Sequence, residues 1–492
     1  MVHVEIRIYG GIGEIGGNKI VVSSNDGKAI ILDFGKSFSR EDAFFQHPYM
    51  PPSLPEDYFK TGLLPPTEGP EWRLADRETL GLIISHAHLD HWGYLPLVHS
   101  DTKIWMGSAS YDIIKAYRDL RSDLKRLDEF QVRTFRTGDQ LSLGEFTILP
   151  IHVDHSIPGA YGFIVECCDR KLVYTGDIRM HGPKAEMTME FIDKASSEDI
   201  DLLIMEATKV APENDPESSL VRILENRIWY RWGKEPPKRV HFEVKTEEEV
   251  REKMLYVLER SSSLALVEIS TADVDRLRTA FNVARSLGRE PILDERTAFL
   301  SHRLGRSGIK GLPQVGSYRV WRRRRGKGGI EVKYGVREPK AIKEFLLGIE
   351  DKMGPESVVW GDARAEILKE PESYVVITNN ATRFLYEIPL GIKPPITFIM
   401  SRSEPFSEES ALSLDRLLNW LMMYDVRRYY RIHVSGHLSP EQIGEVIEAI
   451  NPRKVMPIHT EHPDLFDVYV PSRMSNLIHL PRLGEPFRVG DN

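Results

Sequence analysis

The segment Ser85-His86-Ala87-His88-Leu89-Asp90-His91 places three imidazoles and a carboxylate directly behind the apolar run Leu80-Gly81-Leu82-Ile83-Ile84. A strand leaving its sheet at Ile84 projects His86 and His88 to one side, because alternate side chains share a face. If the chain then turns into a helix near Asp90, Asp90 and His91 reach a second point a few ångströms away. One short segment thus offers ligands to two metal ions. Imidazole with carboxylate suits zinc, or manganese where oxygen ligands predominate. Two such cations roughly 3.5 to 4 Å apart bring the pKa of a shared water towards neutrality and so provide a hydrolytic nucleophile.

Such a centre needs further groups, and the chain sets several at strand ends. Asp33 closes the strand Ala29-Ile30-Ile31-Leu32 and either caps a turn or orients a ligand histidine through a hydrogen bond. The run Glu145–Ile151 leads to His152-Val153-Asp154-His155-Ser156-Ile157-Pro158-Gly159, in which His155, abutting the turn, is favoured over His152 as a ligand. Leu172–Asp177 and Leu202–Glu206 each carry an acid to a strand tip, so that acids and histidines from separate loops converge on one edge. Between these, Ile104–Gly107 reads as a strand and Ser110–Glu129 as a helix. Residues 36–71, rich in proline and aromatic side chains, read as a long surface loop, and His47 within it is not expected to bind metal.

The glycine-rich stretch Gly10–Asn18 matches the dinucleotide pattern at Gly11, Gly13 and Gly16. The helix that this fingerprint requires is replaced by the strand Lys19–Ser24, the turn Asn25-Asp26-Gly27 and a second strand. The stretch reads instead as a loop between strands, near a phosphate or substrate.

A chain of 492 residues exceeds one ordinary core, so two or three structural units are expected. With 41% hydrophobic and 28% charged residues the composition is that of a soluble globular protein, without an apolar run long enough to cross a membrane. The amino terminus alternates like a strand and lacks the basic start and apolar block of a signal peptide, which points to the cytoplasm. The two cysteines, Cys167 and Cys168, are neighbours, expected to be reduced and unsuited to a cysteine-based zinc site. A formal charge of −8 argues against a general nucleic-acid coat, yet a cluster of carboxylate ligands is compatible with a nuclease.

After Glu206 the pattern changes to alternating strands and helices, from His241–Val244 through Glu247–Arg260, Leu264–Glu268 and Asp273–Leu287 to Pro291–Leu293, as in a parallel three-layer unit. The densest positive run, Arg319-Val320-Trp321-Arg322-Arg323-Arg324-Arg325-Gly326-Lys327, is either a solvated edge or a track for a phosphate backbone, with Trp321 available to stack on a base.

The order glycine-rich loop, Asp33, His86-x-His88-x-Asp90-His91, His155, Asp177 resembles the metallo-β-lactamase superfamily over residues 1–208. Two later motifs, Ser435-Gly436-His437 and the His459 of Pro457-Ile458-His459-Thr460, extend the resemblance over nearly the whole chain to the β-CASP nucleases of ribonuclease J type, the shorter archaeal members in particular. The resemblance implies an α/β fold: a metallo-β-lactamase αββα sandwich from residues 1–208 and 426–492, with a β-CASP α/β domain inserted at 209–425. It implies a first metal on His86, His88 and His155, a second on Asp90, His91 and His459, and Asp177 bridging both. Two zinc ions are implied, with manganese or magnesium as alternatives. His437, oriented by Glu206, would give a proton to the departing 3′ oxygen, while Ser435, Gly436 and His437 contact the phosphate.

The implied substrate is RNA, cut from the 5′ end or internally, with single-stranded DNA as the alternative; no membrane partner is expected, and a homodimer is an open option. A metal-free RNA-binding scaffold is the reading from another class, disfavoured by seven intact ligands. A small-molecule hydrolase is disfavoured by the long insert, which should roof the site. The chain departs from the family at Val375-Val376-Ile377-Thr378-Asn379-Asn380-Ala381-Thr382-Arg383, where ribonuclease J carries a Gly-Ser-Gln-Gly-Glu type segment.

Overall fold

The computed structural model describes residues 3–46, 49–67, 71–212, 235–323, 339–359, 367–389, 392, 395–405 and 408–490. Three sheets organise them. The first runs, in spatial order, Phe487–Val489, Val4–Ile8, Ile20–Ser23, Lys28–Leu32, Glu78–Ile84, Ile104–Gly107, Val132–Phe135. The second runs Lys454–Ile458, Leu202–Glu206, Arg170–Tyr174, Tyr161–Cys167, Phe146–His152, Leu141–Leu143.

These two sheets face each other. Ile6, Ile8, Ile30, Leu32 and Ile83 of the first meet Phe146, Phe163, Val165, Leu172 and Ile204 of the second in one apolar cluster. The neighbours Ile31, Leu82 and Ile84 point the other way, into a cluster with Trp72, Trp92 and Ile113. That is why Leu80–Ile84 reads as an uninterrupted apolar run: both faces of its strand are covered. The outer face of the second sheet is covered by helices Ala185–Ser196 and Pro440–Ile450 through Phe191, Ile192, Ile443 and Ile447. The result is the expected αββα sandwich.

The third sheet is wholly parallel, in the order Lys238–His241, Arg428–Arg431, Thr397–Ser401, Ala265–Ile269, Tyr374–Thr378, Glu290–Asp294, Arg319–Trp321, Val358–Val359. Its helices, among them Glu247–Glu259, Val274–Ser286 and Glu295–Arg306, share the apolar cluster of the first layer through Val250, Leu277 and Phe299. Parallel strands bring functional groups to their carboxyl ends, and here Arg428–Arg431 delivers the chain to Ser435-Gly436-His437. Because Arg428–Arg431 pairs within this sheet, the chain returns to the sandwich a few residues later than the expected position 426.

Three other expectations need correction. Residues 36–71 are not simply a loop: they include the helices Phe38–Phe44 and Pro55–Lys60, the second started by Asp57 accepting from the Ser53 and Leu54 backbone, with Tyr58 and Phe59 packed on the first layer's core. The helix expected at 110–129 spans Ser108–Leu120, where the extended backbone of Arg121 ends it, and continues as a 3₁₀ turn at Ser122–Glu129. Trp321 does not offer a stacking face to a base. It is buried, lies 4.6 Å from the Phe384 ring and donates its indole N–H to Glu387. Its neighbour Arg319 pairs with Glu290 and Arg323 with Glu295, while Arg324, Arg325, Lys327 and His47 lie outside the described residues. The cysteines are free thiols, as expected. No helix among the described residues is long and apolar enough to cross a membrane.

Candidate metal centre and active site

The strand Glu78–Ile84 releases His86 and His88 at its carboxyl end, and a short helix, Leu89–Trp92, begins at once, so that Asp90 and His91 turn towards the same edge. The glycine-rich loop supports this turn from below. A Cβ on Gly16, whose φ is +82°, would stand 2.4 Å from that of Asp90, and one on Gly35 would stand 1.6 Å from the Asp90 carbonyl. The Asn18 N–H donates to that carbonyl at 3.2 Å. The loop therefore sits against ligand candidates, in keeping with a place near the site.

Seven side chains meet here. His88 Nδ1 lies 3.1 Å from both His86 Nε2 and His155 Nε2, and Asp177 Oδ2 is 3.6 Å from His86 Nε2 and 3.8 Å from His155 Nε2. On the other side of Asp177, His91 Nε2 is 3.2 Å and His459 Nε2 3.6 Å from the same oxygen, and His459 Nε2 is 3.2 Å from Asp90 Oδ2. Three overlapping donor groups result, His86/His88/His155/Asp177, Asp90/His91/His459 and Asp177/His437/His459, the atoms of each lying within 4.8 Å of one another; the first two contain all seven expected ligands. The residues span the chain from 86 to 459, and all seven expected ligands are brought together. His152, set aside in favour of His155, stacks on Tyr161 instead.

The hydrogen bonds behind the rings fit a cation in front of them. His91 Nδ1 donates to Asp33 Oδ2 at 2.7 Å, His155 Nδ1 to the Gly436 carbonyl at 2.5 Å. His86 Nδ1 lies 3.0 Å from Ser85 Oγ and His459 Nδ1 2.9 Å from Thr208 Oγ1. With Nδ1 protonated towards an acceptor, each ring turns the lone pair of Nε2 to the centre, the form that binds metal. Asp177 Oδ1 is buried without a hydrogen-bond partner. Burial, helped by neighbouring imidazoles, drops His86 and His155 well below the usual histidine range and His88 to about 4, so these rings are neutral. Burial opposes charge on His91 and His459, but the carboxylates of Asp177 and Asp90, with Asp33 added at His91, outweigh it and raise both. A divalent cation would take the place of protons so held. The donor set therefore fits a divalent metal site.

Asp33 lies behind the His91 ring, where a carboxylate could orient it. Besides His91 it accepts from Ser85 N–H at 2.7 Å, Ser85 Oγ at 2.8 Å and Tyr174 OH at 2.5 Å. Burial, then the nearby carboxylates, lift the Tyr174 phenol well above its ordinary value, so it stays a donor. Asp33 at φ +59° and His459 at φ +58° both hold left-handed backbone just past a strand, a conformation kept where tertiary contacts impose it.

His437 reaches the cluster from beyond the insert. Its Nδ1 is 3.8 Å from Asp177 Oδ2, 3.6 Å from Glu206 Oε1 and 3.1 Å from Thr208 Oγ1. Glu206, buried, accepts from Leu438 N–H at 2.9 Å and Thr208 N–H at 3.0 Å, so it anchors the His437 loop as well as facing its ring. Burial pushes the Glu206 carboxyl up, but His437 and these bonds prevail and keep it below its usual range. Ser435 and Gly436 spend their carbonyls internally, on His181 Nε2 at 2.8 Å and on His155. Any contact they make with phosphate is left to their N–H groups and the Ser435 hydroxyl. Ser85, Thr208, Tyr174 and the Gly436 carbonyl were not singled out from the sequence: hydroxyls and a backbone oxygen carry no motif of their own.

Comparison with known proteins agrees with this geometry. Residues 62–247 match the β-lactamase superfamily domain. The chain is 24% identical over 483 residues to ribonuclease J of Pyrococcus abyssi, covering 93% of this chain and 90% of that one. It is 24% identical to ribonuclease J of Methanocaldococcus jannaschii, with 93% and 91% covered. For ribonuclease J of Thermus thermophilus the identity is 23%, over 93% of this chain and 68% of the longer relative. A crystal structure of a protein of unknown function from Enterococcus faecalis superposes with a TM-score of 0.65 at 20% identity, covering 99% of this chain and all of the other, which speaks for the fold. A two-layer sandwich with this edge of histidines and aspartates, interrupted by a parallel insert, thus carries a match to the β-lactamase superfamily domain over residues 62–247 and is similar to ribonuclease J of several organisms over 93% of its length.

Proposed function

We propose that the protein is a metal-dependent nuclease that hydrolyses phosphodiester bonds of RNA, from the 5′ end, internally, or both. The observation that carries this reading is the meeting of two donor sets about Asp177 with His437, an imidazole supplied from the far side of the insert. Similarity to ribonuclease J along 93% of the chain supports RNA as the substrate.

In this reading His86, His88 and His155 would hold one divalent cation and Asp90, His91 and His459 another, with Asp177 available to both. Zinc, or manganese or magnesium, bound there supplies Lewis acidity to a phosphoryl oxygen and a water-derived nucleophile. The chain's own groups set the rest. Asp33, Ser85, Gly436 and Thr208 hold four ligand rings in one tautomer. His437 has Nδ1 turned to Thr208 and Glu206, which leaves Nε2 to hand a proton to the departing 3′ oxygen. Glu206 fixes that ring by charge and, through Leu438 N–H, fixes the loop that bears it. The same reading keeps the cytoplasm as location and a homodimer as assembly, to be tested by cell fractionation and light scattering.

The deciding experiment supplies zinc or manganese and offers 5′-monophosphorylated, 5′-triphosphorylated and circular RNA alongside the matching DNA. Mononucleotides from linear RNA indicate exonuclease action, and cut circles indicate endonuclease action. Metal-loaded protein that leaves every RNA intact, or that cuts DNA alone, overturns the proposal.

A further inference from the structure

Outside the metal cluster, Arg179 and Arg276 are 1% and 0% exposed. Arg179 stands two residues past Asp177. Its Nη2 donates to Asp154 Oδ1 at 3.1 Å, beside His155, and to Asp275 Oδ2 at 2.9 Å on the inserted helix Val274–Ser286. Its Nη1 lies 3.6 Å from Glu247 Oε1, at the start of helix Glu247–Glu259. Glu247 also accepts from Arg276, Oε1 at 2.9 Å and Oε2 at 3.4 Å. The other side of Arg276 donates through Nη1 to Ser401 Oγ at 2.7 Å and to the Ser401 carbonyl at 3.1 Å, and lies 3.1 Å from His433 Nδ1. His433 comes just before Ser435-Gly436-His437.

Ion pairs thus run from the loops of His155 and Asp177 through two helices of the insert to Arg276, whose hydrogen bonds to Ser401 and His433 carry the network on to the lead-in of His437. The backbone is shaped to admit them: a Cβ on Gly182 would stand 2.1 Å from both Arg179 Nε and Asp154 Oδ2. Withdrawing this many charges from water costs about as much as their pairing returns, so stability alone is a poor reason for the network. What it does provide is register, because each guanidinium fork accepts its partners in one geometry.

We propose that Arg179 and Arg276 are positioning residues for the phosphodiester cleavage inferred above, an assignment that rests on that reading. They hold the insert and the His433–His437 segment at a fixed distance from the loops that carry His155 and Asp177. Neither touches substrate. Their effect is exerted through the placement of His437 and of the Gly436 carbonyl behind His155.

The test uses the metal-loaded full chain with Arg179→Met or Arg276→Met, read by metal content, thermal unfolding, kcat and KM on a linear RNA oligonucleotide, and hydrogen exchange of the 432–439 segment. Expected are retained metal, a kcat lower by on the order of 10²-fold, as for small displacements of a reacting group, and a KM within about threefold. Exchange should accelerate in 432–439, which includes the Leu438 N–H bound to Glu206, and stay unchanged in helix Ala185–Ser196. If the methionine variants fail to fold, Arg276→Lys keeps a cation at Glu247 but gives up the fork to Ser401 and His433, and the same exchange change with a smaller kcat loss is expected. A folded variant of either kind with wild-type kcat and wild-type exchange overturns the proposal, as does a loss of kcat that merely follows loss of metal. Wild-type protein that cuts no RNA would end the nuclease reading, while the exchange measurement would still decide whether this network fastens the segment.

Discussion

Replacing Asp33 by Asn is the most incisive single change for the metal centre. The carboxylate accepts one donor on Oδ1, Ser85 N–H, and three on Oδ2, from Ser85 Oγ, His91 Nδ1 and Tyr174 OH. Asparagine has one acceptor oxygen. Turned to the three donors, it sets its NH₂ against Ser85 N–H and leaves one buried backbone donor unsatisfied, at about 1–3 kcal/mol. Set against a typical stability of about 5–15 kcal/mol, the protein should fold. The charge behind His91 is nevertheless gone, and loss of such a carboxylate partner typically weakens metal binding by about 10–100-fold, or about 1.4–2.8 kcal/mol. The cation on Asp90, His91 and His459 should loosen first, since His91 is the ring that Asp33 touches. Titration with a graded chelator, followed by metal analysis, should give one wild-type step and one shifted step, with circular dichroism unchanged. If both metals hold as in wild type, or if the His86/His88/His155 metal leaves first, the reasoning fails.

Other changes separate further roles. His437→Ala should keep both metals and lose most turnover, whereas His86→Ala should lose metal itself; metal analysis showing the reverse order would refute the assignments. Gly16→Ala drives a Cβ into Asp90 from a left-handed position and should weaken the second metal at least as much as Asp33→Asn, measured by the same chelator titration. Replacing Arg322 to Arg325 with Ser should weaken binding of an RNA oligonucleotide and flatten its salt dependence by roughly 0.7 per lost phosphate contact; an unchanged slope makes the run plain surface. For pH, burial and then Lys184 lower the His152 ring to about 4. The unfolded chain, with histidine near its usual 6.5, binds a proton there that the folded one refuses. Stability is thus full above about 6.5 and falls as pH drops towards 4, and His152→Gln should remove that part of the slope in urea unfolding.

Much of the candidate centre was legible because its candidate ligands and the acids behind them lie at or just past strand ends, and strand ends can be read from apolar runs that stop at an acid or histidine. Asp33, Asp177 and Glu206 follow that rule, and the structure sets all three at the edge it predicts. Less legible was anything decided by packing across the chain. Trp321, among arginines, reads as a surface residue, yet its strand lies between Glu290–Asp294 and Val358–Val359 with Phe384 against the ring. The helix Pro55–Lys60 was masked by its prolines, although proline at a first helical position is favourable. The Arg179–Arg276 network joins residues far apart in sequence whose types, taken singly, suggest only exposed charge.

The hydrogen bond between His459 and Asp90 closes a span of 369 residues. Translation at about 5–20 residues per second would need on the order of 20–70 s to cross it. Through that interval a nascent chain has His86, His88 and Asp90 but lacks His459. On the nuclease reading proposed above, the centre would therefore be completed only when synthesis is nearly over, by the arrival of His437 and His459.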